Sequence, residues 1–332
     1  MRASRKIAWY GAGIFAAGLL AGFSVAQILS QDSSQNTGHS LRITVPSRPL
    51  IKPLLACNID SATPSTEFDG LKNNLDDAIN RAKASGDISR ASIYVRSLAN
   101  GSWTAVNGDD QFRPASLMKI VTLMVYMEGA DSDPGVLSQT LAVQEYASDN
   151  EQNILPEQTA IAGKTYTVEE LLRLMIVYSD NNASRTLIAN INPGVLNKTL
   201  QDLEIPQYAD NANYTISPRL YSRFLRILYN STLISEQNSE RSLEWLSQSA
   251  YKDALVAGVD PSDIVAHKFG ESSATNTDGS TTYQHHDCGI VYDTSPYVIC
   301  VMTEGKDLST LAKTIASLTT TVDTFIMGQY GK

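Results

Sequence analysis

Residues 112–129 read FRPASLMKIVTLMVYMEG, and the rest of the chain can be built outward from them. Arg113-Pro114 is a turn pair, followed by Ser116 and Lys119 at the mouth of a strongly apolar run. Residues three apart lie one turn from each other on the same helix face, so Ser116 Oγ and Lys119 Nζ are expected to meet. Ile120, Val121, Leu123, Met124 and Val125 make the run apolar on nearly every side, the pattern of a helix buried at the centre of a domain. A serine facing an amine there is an activatable nucleophile. A capping serine beside a surface lysine is the ordinary alternative, and Ser-x-x-Lys alone does not choose between them.

The 332 residues, 42% hydrophobic and 18% charged, suit one large globular domain with a tail, or two small domains. A net charge of −9 argues against nucleic acid, whose binders carry basic patches. Three cysteines without Cys-x-x-Cys spacing do not make a disulfide scaffold. The four histidines form no spaced ligand set, and adjacent His285 and His286 would point to opposite faces of a strand. No metal site is expected.

Arg2, Arg5 and Lys6 precede the apolar run Ile7–Leu29, which is long enough to span a bilayer with its N-terminus in the cytoplasm. Ser24-Val25-Ala26 resembles a cleavage site, so a removed signal segment is the rival to a retained anchor. Either reading puts the remaining chain outside the cytoplasm. Phe23 stands where a lipoprotein signal would need cysteine, which excludes lipidation. The expected organisation is a membrane segment at 1–30, a polar linker at 31–66 and a globular domain at 67–332.

Within that domain, Phe68, Leu71, Leu75, Ile79 and Ala82 recur at helical spacing, giving a helix that ends near Gly86. Ala91–Leu98 and Trp103–Val106 read as strands joined by the turn Asn100-Gly101. Asp131–Lys164 is polar and patternless. Thr167 and Glu170 form a capping box ahead of a helix at Val168–Tyr178, and Ala183–Ile191, Pro218–Tyr229 and Glu236–Gln248 also read as helices. Val265–Lys268, Cys288–Tyr292 and Tyr297–Thr303 read as strands, and Leu308–Met327 as a closing helix. This order predicts an α+β fold: an antiparallel five-stranded sheet flanked by helices as an α/β/α sandwich, with an all-helical subdomain. The first and last helices should cover the same face. Cys288 and Cys300 fall opposite one another, either as a cross-strand disulfide or as two buried thiols, leaving Cys57 odd.

Three short motifs stand in order: Ser116-x-x-Lys119, Ser179-Asp180-Asn181 and Lys268-Phe269-Gly270. The first opens a buried helix, the second lies in an interhelical turn, and the third ends a strand leading to the last hairpin. Together with the flanks Tyr166–Leu172 and Asp287–Tyr292, they resemble the class A β-lactamase family of serine penicillin-recognising enzymes, over roughly residues 67–330. The resemblance implies acyl transfer without a cofactor or metal, on a β-lactam or a peptidoglycan peptide. Ser116 would be the nucleophile and Lys119 its base, with Ser179 relaying a proton and Lys268 supplying positive charge for the substrate carboxylate. Asn181 would hold the substrate amide, and the N–H groups of Ser116 and Glu271 would form the oxyanion hole beside Phe269 and Gly270.

Two departures from the family pattern stand out. Phe269 replaces the usual hydroxyl residue, so carboxylate recognition should be weaker or come from Ser272, Ser273 or Thr275 instead. The loop glutamate that activates the deacylating water has no counterpart in Leu203–Tyr214, where Glu204 and Asp210 read as surface turn residues. A slow-deacylating β-lactam hydrolase is therefore expected. A membrane-anchored D,D-peptidase or peptidoglycan amidase is the alternative, and a non-catalytic cell-wall peptide or penicillin sensor is a further one.

Overall fold

The computed structural model describes residues 47–53, 63–145, 152–205 and 213–330. Helix α1 (Asp69–Ser85) precedes the hairpin of β1 (Arg90–Ser97) and β2 (Trp103–Val106). A 3₁₀ turn, Ala115–Met118, runs into α2 (Lys119–Ser132). A two-stranded ribbon, β3 (Thr140–Ala142) and β4 (Thr165–Thr167), leads to α3 (Val168–Val177), α4 (Asn181–Ala189) and α5 (Pro193–Asp202). Then come α6 (Pro218–Asn230), α7 (Glu236–Ser247), the strands β5 (Ile264–Thr275), β6 (Thr281–Tyr292) and β7 (Tyr297–Gly305), and α8 (Leu308–Tyr330).

The five long strands form one sheet in the order β2-β1-β7-β6-β5, antiparallel throughout, so β5 and β2 are its edges. Side chains alternate across a strand, and this alternation divides the core in two. Ala266, Cys288, Ile290, Cys300 and Met302 face the helical block α2–α7, whereas Val265, Val291, Ile299, Val301 and Ile93 face α1 and α8. The expected α/β/α sandwich is the fold. The first and last helices do share a face, with Phe68 edge-on to Phe325 at 5.7 Å between ring centroids.

Local chemistry sets the helix ends. Gly86 ends α1 in the left-handed conformation at φ 79, where a Cβ would be strained. Thr167 and Glu170 complete the capping box of α3 from both sides. Helix α2 is buried continuously from Lys119 to Met127, as its unbroken apolar sequence requires. Burying each of its large aliphatic side chains stabilises the fold by about 1.5–3 kcal/mol.

The structure adds to the sequence reading in several places. Strands β5 and β6 each run on, to Thr275 and from Thr281, because ladder hydrogen bonds do not depend on apolar side chains and the polar arms leave the core. Helix α5 was not predicted. Asn192-Pro193-Gly194 reads as a loop, yet Asn192 caps the helix and Pro193 sits in its first turn, where its missing N–H costs nothing. Cys288 and Cys300 are register partners and form a disulfide, resolving the alternative left open between bridge and thiols. Cys57 and the apolar run Ile7–Leu29 lie outside the described residues, among which no helix is long and apolar enough to cross a membrane.

Gly289 shows how tightly the sheet is packed. A Cβ there would lie 2.6 Å from His267 Cβ and 2.8 Å from Ala266 O. His267 cannot give way, because its Nδ1 is 2.8 Å from Asp287 Oδ1 and both side chains are fully buried. Gly289→Ala should lower stability by roughly 1–3 kcal/mol in urea unfolding; an unchanged midpoint would show that the strands can part.

Candidate active site

Three segments distant in sequence converge where α2 begins. The first is the turn bearing Ser116. Ala115 adopts φ 47, which a non-glycine residue takes only when its surroundings impose it. Phe112 and Ile216 exchange backbone hydrogen bonds of 3.1 and 2.9 Å, fixing the approach to the turn. Tyr221 on α6 donates to Leu117 O (3.1 Å), and His286 on β6 donates through Nε2 to Arg113 O (3.0 Å). Burial, followed by the neighbouring His285, lowers the pKa of His286 to about 3. Its ring is therefore neutral, and its Nδ1 accepts from Thr303 N–H at 3.3 Å. Ser116 itself is half-buried.

The second segment is Ser179-Asp180-Asn181. Ser179 sits at φ 57, and buried Asp180 holds it there by capping α4. Asp180 accepts from the N–H groups of Asn182 (3.1 Å), Ala183 (3.0 Å) and Ala160 (2.8 Å) and from Thr159 Oγ1 (2.6 Å). The third segment is Lys268-Phe269-Gly270 on edge strand β5. A Cβ on Gly270 would lie 2.7 Å from Pro114 O and 2.9 Å from Leu117 N. Only glycine lets the strand press against the serine-bearing turn. The same contact seats the turn carrying Ser116 against the strand carrying Glu271, the two residues whose N–H groups the family resemblance paired.

Two lysines meet at one hydroxyl. Lys119 Nζ donates to Ser179 O (2.6 Å), Ser179 Oγ (3.2 Å) and Asn181 Oδ1 (2.8 Å). Lys268 Nζ donates to the same Ser179 Oγ (2.9 Å) and to Phe269 O (3.0 Å). Both side chains are buried, Lys268 completely. Burial lowers the pKa of Lys119 to about 7, despite the opposing pull of the Asp180 and Glu271 carboxylates. For Lys268, burial and then repulsion from Lys119 push the pKa well below the usual lysine range. A neutral amine is thus available at neutral pH, the state a general base needs.

The predicted residues fall out as follows. Lys119, Ser179, Asn181 and Lys268 form one hydrogen-bonded cluster, with Ser116 on the turn that leads directly into it. Phe269 is 4% exposed, its ring 4.2 Å from that of Tyr251 and its centroid 4.2 Å from Lys268 Nζ, so it packs directly against the cluster. Glu204 is turned outward at φ 60 and pairs with Arg223 at 2.8 Å, a surface turn residue as read from sequence. Asp210 lies outside the described residues.

Two contributors carry no sequence signal. Gln152 Nε2 donates to Ser179 O (3.1 Å), and the Glu271 carboxylate accepts from Asn153 N (2.8 Å), Asn153 Nδ2 (2.5 Å) and Ile154 N (3.3 Å). Residues 152–154 therefore strap the Ser179 loop to β5 across the cluster. They belong to a polar stretch that matches no motif.

A family model described as "Beta-lactamase enzyme family" matches residues 71–325. The chain belongs to that family. Solved structures of PBP-A and of β-lactamases share its fold. PBP-A superposes with a TM-score of 0.65 at 21% identity, covering 81% of this chain and 100% of its own. A variant of the class A β-lactamase of the last common ancestor of Gram-negative bacteria gives 0.61 at 21%, covering 78% and 99%. A β-lactamase from Streptosporangium roseum gives 0.62 at 20%, covering 79% and 98%. None of the curated proteins searched matches the sequence.

Gly270→Ala should push the Ser116 turn away from β5 and lower stability by roughly 1–3 kcal/mol in urea unfolding. An unchanged midpoint would mean that the turn does not need this contact.

Proposed function

We propose that this chain is a serine hydrolase that opens β-lactam amide bonds through an acyl-enzyme on Ser116. One observation carries the reading: buried Lys119, with its pKa near 7, lies one turn beyond Ser116 and shares Ser179 with Lys268. Ser116 Oγ attacks the lactam carbonyl as Lys119 takes the hydroxyl proton, and the tetrahedral oxyanion faces the N–H groups of Ser116 and Glu271. The C–N bond then breaks. Its nitrogen receives a proton from Ser179, which is restored from the Lys119 ammonium formed in the first step, leaving an ester on Ser116 and a neutral Lys119. Asn181 accepts from Lys119 through Oδ1, which turns its NH₂ group toward the substrate's amide carbonyl.

Hydrolysis of that ester requires an activated water. Glu204, the described carboxylate in the relevant loop, points outward into its ion pair with Arg223. The acyl-enzyme should therefore persist, as in a penicillin-binding protein; a PBP-A variant has been solved as an acyl-enzyme complex with penicillin G. This favours the second reading, a D,D-peptidase or peptidoglycan amidase whose natural acyl group leaves to another acceptor. Phe269 supports the sensor reading by removing a hydroxyl, but a binding module has no need of a lysine held near neutrality beside a serine. The basic residues ahead of Ile7–Leu29 support tethering outside the cytoplasm, and the Cys288–Cys300 bridge fits an oxidising compartment.

Intact-mass measurement after exposure to penicillin should show one stable adduct, absent in Ser116→Ala, with chromogenic cephalosporin turning over slowly. Rapid turnover would overturn the slow-deacylation claim, and absence of an adduct would overturn the acylation. The acylation rate should rise with pH through a midpoint at about 7, because Lys119 must be neutral to accept the proton. Glu271→Gln removes a carboxylate that favours the charged form, so its midpoint should fall below that of the parent. An upward shift would assign the titration to another group.

A further inference from the structure

The family resemblance gives Lys268 the task of meeting a substrate carboxylate, but the fold commits that amine elsewhere. Lys268 is completely buried. Its Nζ donates to Ser179 Oγ (2.9 Å) and to Phe269 O (3.0 Å), and the centroid of the Phe269 ring lies 4.2 Å from it. Burial, followed by repulsion from Lys119, drives Lys268 toward the neutral form, in which an amine has two N–H groups. Both are taken. Phe269 brings no hydroxyl, and Ser272, Ser273 and Thr275, farther along β5, can offer hydroxyls but no charge.

The ion that stands beside Gly270 is instead a carboxylate. Glu271 is half-buried, and its carboxylate accepts from Asn153 N (2.8 Å), Asn153 Nδ2 (2.5 Å) and Ile154 N (3.3 Å). These neutral donors fix the position of the charge without supplying a counter-ion, and among the described residues no cation pairs with it. The charge reaches the reacting groups. Lys119 feels Asp180 most, Glu271 next and Arg185 less, so the carboxylates outweigh the arginine. Asp180 is buried and committed to the cap of α4, which leaves Glu271 as the anion that a substrate would meet. A substrate carboxylate at this end of the site would face a like charge in a partly desolvated place, where repulsion is about four times as strong as in water. An uncharged group there escapes that repulsion.

The inference rests on the acyl-enzyme reading and narrows its substrate. We propose that Glu271 is a specificity-determining residue, and that the natural acyl donor carries no free carboxylate on the amine that leaves. The carboxyl of that amine is capped, as it is at an internal amide bond of a peptide.

The test measures acylation of the full-length chain by intact mass, with penicillin G and with its methyl ester, whose carboxylate is capped. In the parent the ester should acylate at least as fast as the acid. Glu271→Gln should raise the acid-to-ester rate ratio about tenfold or more, as expected for removing one like charge from a partly buried site. The ratio cancels any change in the basicity of Lys119, which acts on both compounds alike. Asn153→Ala loosens the strap but keeps the charge, so its ratio should match the parent's. Added salt should raise the parent's ratio by screening the repulsion.

An acid that acylates the parent tenfold faster than the ester would overturn the proposal. So would a ratio unmoved in Glu271→Gln, or one moved equally in Asn153→Ala. Should Glu271→Gln fail to fold, the salt dependence of the parent carries the same test. An adduct with neither compound would overturn the acyl-enzyme reading itself, and the proposal with it.

Discussion

Two lysine amines share one serine hydroxyl inside the protein, and much of the structure exists to make that tolerable. A buried ammonium is expensive unless paired, and a second one beside it adds repulsion. The protein responds by letting the amines lose charge and by surrounding them with fixed acceptors: two carbonyls, a hydroxyl and an amide oxygen. Those acceptors must themselves be rigid. Asp180 caps α4 and holds Ser179 at a positive φ, while Lys268 faces Cys288, whose bridge to Cys300 ties the strands behind it. The cluster is strained on purpose, and its supports are ordinary structural chemistry.

The arrangement also sets how the opening is guarded. Strand β5 is a sheet edge, so beyond its pairing with β6 it meets helices and loops, not another strand. Gly270 brings that edge against the Ser116 turn, and Glu271, one residue on, reaches the strap at 152–154. One short stretch of strand thus supplies an amine, a close backbone approach and a carboxylate anchor. Phe269, between them, packs on Tyr251 and against the Lys268 amine.

Charge is distributed with similar economy. The serine cluster holds amines that burial drives toward neutrality, while four arginines line a cavity beside Trp103 at the opposite edge of the sheet. Helix α6 serves both regions: Tyr221 steadies the Ser116 turn, and Arg219, Arg223 and Arg226 line that cavity. A change in how α6 seats would therefore be felt at both places.

The sequence by itself determined the family, the sandwich, the buried helix and the motifs, because periodicity and caps are local and the three motifs occur in a fixed order. It also marked Glu204 as a turn residue and left Cys288 and Cys300 facing each other. It did not show α5, whose start reads as a loop, nor the polar arms of β5 and β6, since apolar pattern reports burial and not strand pairing. Only the tertiary structure decided that Lys119 and Lys268 meet on Ser179, that Gln152 and Asn153 cross the site, and that four arginines converge on one cavity. The reason is physical: a pKa, a close glycine contact and a charge cluster depend on distances between segments far apart in the chain, as Gly270 is from Pro114, and folding alone sets those distances.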